Sequence, residues 1–91
     1  MKWLHVIRVR AATACGTEML QAVESLTDEA RRQHGVEQVS VYAHGQIPGD
    51  LAVHLLWQSN EPAVSSPVGK LIADRLRDFG LVDYSTWKQV A

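Results

Sequence analysis

Four histidines, three tryptophans, two tyrosines and one cysteine are the side chains of this 91-residue chain whose chemistry reaches beyond packing. A histidine near neutral pH is a general acid or base, a metal ligand or a hydrogen-bond donor. His5 and His54 lie in the middle of alternating segments and are the candidates for proton transfer. A histidine on a strand also serves as a hydrogen-bonded packing residue, so the two readings stand side by side. His34 ends a helical segment and His44 leads into a turn, and both are expected in solvent. Tyr42, Trp57 and Trp87 are the candidates to shape a substrate pocket, although aromatic residues on strands equally pack. Asp83 is placed either to orient an imidazole or to discourage edge-to-edge pairing. Cys15 precedes Gly16 at a helix start, where a thiol becomes nucleophilic, but a small half-buried loop residue is the plainer reading.

Other chemistry is missing from the sequence. It has no HExxH, no CxxC and no close His–carboxylate pair, so no metal is expected. The run Gly45-Gln46-Ile47-Pro48-Gly49-Asp50 reads as a hairpin loop, because its two glycines are too isolated to cradle a phosphate. Nine basic and ten acidic side chains give a formal charge of −1. That balance leaves no broad electrostatic footprint for nucleic acid or an anionic membrane. A single cysteine excludes an internal disulfide and makes a reducing compartment the default. The first apolar stretch is short and broken by Arg8 and Arg10, unlike a signal peptide or a membrane span. A cytoplasmic protein is the expectation.

The elements that must position these residues are six, in the order strand, helix, strand, strand, helix, strand. Strands are expected over Trp3–Arg10, Val36–His44, Leu51–Gln58 and Leu81–Val90, and helices over Thr17–His34 and Pro67–Phe79. In the first helix Met19, Val23, Leu26 and Ala30 make an apolar stripe, with Leu20 beside them. Thr17 is its expected N-cap and Gly35 its stop. In the second, Val68, Leu71, Ile72, Leu76 and Phe79 make the stripe, Ser66 caps, Pro67 opens and Gly80 stops. This is a ferredoxin-like βαββαβ arrangement of the α+β class, one domain over residues 1–91. It has a four-stranded antiparallel sheet with both helices on one face, because right-handed crossovers put them on the same side.

Alternation along the strands sorts residues between the two faces. Val39, Val41, Val53, Leu55, Trp57, Val82, Tyr84 and Thr86 are assigned to the helices, with Leu4 and Val6 from the first strand. The opposite face is then expected to carry Trp3, Ile7, Val9, Leu56 and Trp87, mixed with His5, Tyr42, His44 and His54. That would bring His5 and His54 close together. Such a face is too apolar for water, and a second copy of the same sheet would cover it. A homodimer through this face is the expected assembly.

A short βαββαβ chain with a half-apolar second sheet face resembles the dimeric α/β-barrel superfamily, whose best-known branch is the antibiotic-biosynthesis-monooxygenase-like proteins. The resemblance lies in element order and burial pattern over nearly the whole chain. It implies two sheets packed face to face with the helices outside, and a small-molecule pocket often placed between sheet and helices. It also implies a cofactor-independent oxygenase or an isomerase acting on a small aromatic or polyketide-like molecule. The haem-degrading branch uses an Asn, a Trp and a helix-borne His. The single Asn here, Asn60, falls in the loop after the third strand, a departure from that pattern, and no cofactor is expected. The other reading is a non-catalytic small-molecule-binding or regulatory module, similar to amino-acid-binding ACT domains. These share the element order and a glycine at the first strand–helix turn, as Gly16 stands here. An RNA-recognition motif fits less well, since Leu51–Gln58 carries no Lys or Arg.

Overall fold

The computed structural model describes residues 1–11, 16–59 and 66–91. Cys15 and Asn60 lie outside the described residues. The order is β1 (Lys2–Ala11), α1 (Thr17–Arg31), β2 (Val36–Ala43), β3 (Asp50–Gln58), α2 (Pro67–Leu76) and β4 (Gly80–Lys88). The four strands form one antiparallel sheet in the order β2-β3-β1-β4. Both helices pack on one face of it, and the core lies between them. Ile7, Val9, Leu51, Val53 and Leu55 from the sheet meet Met19, Val23, Leu26, Ala30, Val68, Ile72, Ala73 and Leu76 from the helices.

The helix boundaries have local causes. Ser66 caps α2, its Oγ accepting from Gly69 N at 3.0 Å, and Pro67 opens the first turn where its missing N–H costs nothing. At α1 the cap is Gly16 rather than Thr17, and no side chain caps it. The helix ends at Arg31, three residues before His34, and Gly35 then takes φ +91° to turn the chain into β2. A Cβ there would also stand 3.2 Å from the Trp57 ring. Phe79 falls beyond α2, and Leu20 and Leu71 lie toward solvent at the margins of their stripes. Gly80 opens β4 instead of stopping the helix, and a Cβ there would lie on top of the Arg10 carbonyl oxygen. Among the described residues no helix is long and apolar enough to cross a membrane.

The assignment of faces is correct for β2, β3 and β4 and reversed for β1. In an antiparallel pair, residues directly opposite share a face. Trp3 lies opposite Trp57, His5 opposite Leu55 and Thr86, and Ile7 opposite Val53 and Tyr84. Trp3, His5, Ile7 and Val9 therefore face the helices, with His5, Ile7 and Val9 buried. Leu4, Val6, Arg8 and Arg10 line the outer face. There Arg8 pairs with Asp83 at 3.1 Å and Arg10 with Asp50 at 3.4 Å.

The β2–β3 hairpin is held by a histidine. His44 N donates to Asp50 O at 2.9 Å, and the His44 Nδ1 accepts from both Gln46 N and Ile47 N at 3.0 Å. The ring is exposed, as expected, but it satisfies two loop donors that have no strand partner.

The reversed strand gives a direct check. Ile7→Ala should cost about 2–5 kcal/mol of stability, as for other buried aliphatic truncations. Arg8→Ala, whose ion pair is largely exposed, should change stability by no more than about 1 kcal/mol. Urea denaturation of the two variants reads the difference.

Candidate functional site

The polar centre on the helix side of the sheet is His5. It is fully buried at the middle of a central strand. A buried imidazole is tolerated only with hydrogen-bond partners. The Tyr84 hydroxyl lies 2.9 Å from His5 Nδ1. Ser66 N, at the cap of α2, donates to the same hydroxyl at 3.3 Å. A chain of polar contacts thus runs from the N-terminus of α2 through β4 to β1. Gly69 makes room for it, since a Cβ at that position would overlap the Tyr84 hydroxyl and crowd Ser66 Oγ.

Aromatic rings surround the imidazole. The Trp57 ring is 5.9 Å from that of His5, tilted by 37°, and the Tyr84 ring 5.7 Å away at 50°. Trp3 lies directly opposite Trp57 across β1 and β3. Among the described residues, the buried Nε1 atoms of Trp3 and Trp57 have no hydrogen-bond partner. Two indole donors and one buried histidine therefore share the helix-side face.

His54 is elsewhere. It lies opposite Val6 in the register and so on the outer face, where its ring is 4.8 Å from Tyr42. The expectation that His5 and His54 lie close together on one face is thereby corrected, because β1 presents its odd-numbered residues to the helices. The pocket candidates divide in the same way. Trp57 accompanies His5, whereas Tyr42 and Trp87 are exposed on the outer face. Trp87 is already paired there, its Nε1 donating to Ser85 Oγ at 2.9 Å. Asp83 is also on the outer face, held by Arg8, and orients no imidazole. Tyr84, assigned from the sequence only to the helix-side face, has its hydroxyl beside His5 Nδ1.

The outer face is a shallow trough. Three adjoining hollows of about 340, 380 and 280 Å³ run along it. Arg8 and Asp83 are shared by the first two, and Leu4 and Trp87 by the second and third. One end carries Leu4, Leu56 and Trp87 beside Lys2, Lys88 and Gln89, and the other carries Arg10, Tyr42, His44 and Asp50. No group of three or more His, Cys, Asp or Glu among the described residues is arranged to hold a metal.

No family model matches the sequence, and no curated protein matches it. Solved structures do match over almost the whole chain. SnoaB, a cofactor-independent oxygenase from Streptomyces nogalater, superposes with a TM-score of 0.76 at 14% identity, covering 99% of this chain and 94% of that one. Rv0793 from Mycobacterium tuberculosis gives 0.76 at 10% identity, with 100% and 97% covered. A putative antibiotic biosynthesis monooxygenase from Bordetella bronchiseptica gives 0.73 at 8% identity, with 99% and 98% covered. The fold is therefore the ferredoxin-like fold of antibiotic-biosynthesis-monooxygenase-like proteins, as the element order implied.

The close approach at Gly69 is testable by itself. Gly69→Ala must displace the Tyr84 hydroxyl and should destabilise the protein by about 1–3 kcal/mol, the usual range for overpacking. Gly45→Ala is the control, because no atom lies within 4 Å of a Cβ there. Thermal denaturation should separate the two.

Proposed function

We propose that this chain is a small cofactor-independent oxygenase or isomerase acting on an aromatic or polyketide-like molecule. The carrying observation is the buried His5, tied to Tyr84 and flanked by Trp57 on the helix side of the sheet. The shared fold supports the reading, since one of the superposed structures is a cofactor-independent oxygenase. In this proposal the ligand enters on the helix side, the aromatic rings hold its plane, and His5 handles a proton at the reacting end. His54 and Tyr42 lie across the sheet and belong to a different surface.

Turnover of a panel of phenols, quinols and polycyclic ketones, followed by oxygen consumption and by product chromatography for isomerisation, tests this. His5→Ala should lower turnover about 10²-fold or more while the sheet stays folded. His54→Ala should leave it near the native level. Loss of activity in His54→Ala with full activity in His5→Ala would move the chemistry to the outer face.

The outer face supports a second copy of the chain as partner. Leu4, Val6, Leu56 and Trp87 form an apolar strip, and Trp87 is 60% exposed. Trp3 and Ile7 are not part of it, contrary to the sequence expectation. A stable interface there should bury on the order of 1,200 Å² in total or more. Leu4→Asp would place charges against one another at its centre. Light scattering should report a dimer for the native chain and a monomer for this variant. A native monomer at micromolar concentration would end the proposal.

A further inference from the structure

The tip of the β2–β3 hairpin is fastened by a side chain that titrates. Residues 44–48 are exposed, so packing into the core does not hold them. Hydrogen bonds do. Two run between backbone groups, His44 N to Asp50 O at 2.9 Å and Asp50 N to Ile47 O at 3.4 Å, the second long for its kind. Two more end on the His44 ring, whose Nδ1 accepts from Gln46 N and Ile47 N at 3.0 Å each. A backbone N–H only donates, so Nδ1 is bare and the neutral ring carries its hydrogen on Nε2. The imidazole does here what an Asn side chain does in an Asx turn, accepting from the backbone two residues on. It differs from Asn in that protonation abolishes the acceptor. An imidazolium donates at both nitrogens, and its Nδ1–H would face two further donors.

We propose that His44 is a pH-sensitive latch: the neutral ring closes the hairpin tip, and the imidazolium releases it. The bonds to Nδ1 exist only in the neutral form. Their contribution is therefore present at higher pH and is lost as the ring gains a proton on acidification. Residues 45–49, Gly-Gln-Ile-Pro-Gly, carry no side chain that titrates. The titratable and charged groups that share a hollow with His44 are Tyr42 on β2, Asp50 on β3, Arg8 and Arg10 on β1, and Asp83 on β4. The four charged ones pair among themselves, Arg8 with Asp83 and Arg10 with Asp50. The helices lie on the opposite face of the sheet. Release reaches beyond the tip, because Gly49 O accepts from Ala11 N at 3.4 Å and Asp50 holds Arg10. His44 and Asp50 also line the hollow of about 340 Å³. Acidification thus loosens one end of the outer trough and leaves the helix-side layer around His5 in place.

Nuclear magnetic resonance of the native chain between about pH 8 and about pH 5, the range over which a histidine changes charge, tests the latch. At the upper end the His44 ring should show a protonated Nε2 and an unprotonated Nδ1. On acidification the Gln46 and Ile47 amides should lose protection from exchange by about tenfold or more, corrected for the intrinsic effect of pH. The loss should follow the titration of the His44 ring, while the Val53 and Leu55 amides stay protected. A native Nδ1–H form, or unchanged protection of Gln46 and Ile47 while the ring titrates, overturns the proposal, and neither outcome needs a variant to fold. His44→Asn keeps an acceptor that does not titrate, and its tip should stay closed at both ends of the range. His44→Ala has no acceptor, and its tip should be open at both. A tip that still opens with acid in His44→Asn assigns the effect to another group, and a closed tip at high pH in His44→Ala shows that the ring holds nothing. Either result overturns the latch.

Discussion

An imidazole taken wholly out of water at the centre of a sheet constrains everything around it. His5 sits on β1, one of the two strands with a neighbour on each side, in a layer that includes Ile7, Val9, Leu51, Val53 and Leu55. Leaving a polar group there without partners costs about 1–3 kcal/mol, a large part of the stability of so small a domain. The remedy reaches across two other elements. Tyr84 on β4 supplies the hydroxyl, and the α2 cap supplies the N–H that fixes the orientation of that hydroxyl. Ser66 has two roles in this, capping the helix with its side chain and restraining Tyr84 with its backbone. Gly69, one turn into α2, must lack a side chain for the hydroxyl to fit. An isoleucine or valine in place of His5 would satisfy the core without any of these arrangements. The polar chain is thus an extra requirement on the fold.

The two sheet faces answer to different demands. The helix-side face is filled by aliphatic packing except around His5, Tyr84, Trp3 and Trp57, where polar atoms enter the apolar layer. The outer face alternates apolar and charged residues along single strands, as in Leu4, Val6, Arg8 and Arg10 of β1. Its Arg8–Asp83 pair is exposed, and such pairs contribute little to stability in water. They act mainly by fixing which residues can lie opposite them.

Much of the fold was legible in the sequence. Ser66-Pro67 before the stripe of Val68, Ile72 and Leu76 locates the start of α2, because cap, proline and periodicity agree. Gly35 marks the left-handed turn after α1. The β1 face was misread although the sequence carried the answer. Trp3, Leu4, Val6, Ile7 and Val9 are apolar on both faces, so hydrophobicity alone does not choose between them. Arg8 and Arg10 do choose, because burying two guanidinium groups without partners costs far more than exposing Leu4 and Val6. His5 was placed on the outer face with the rest of its set, and its partner lay 79 positions away. No local pattern announces a hydrogen bond at that separation. The pairing of His5 with Tyr84 depends on β1 and β4 lying side by side, and on their register.

The same geometry separates the histidines by how their rings are held. His54 is partly exposed, beside Tyr42, and His44 spends its Nδ1 on two loop N–H groups. Those two donors fix the neutral His44 ring with its hydrogen on Nε2. The group beside His5 Nδ1 is a phenol rather than a carboxylate. A carboxylate behind an imidazole stabilises the imidazolium and favours a base. A phenol that donates to Nδ1 does the reverse, since protonating that nitrogen would remove its acceptor. Tyrosine at position 84 thus ties the imidazole to β4 and to the α2 cap through a single hydroxyl.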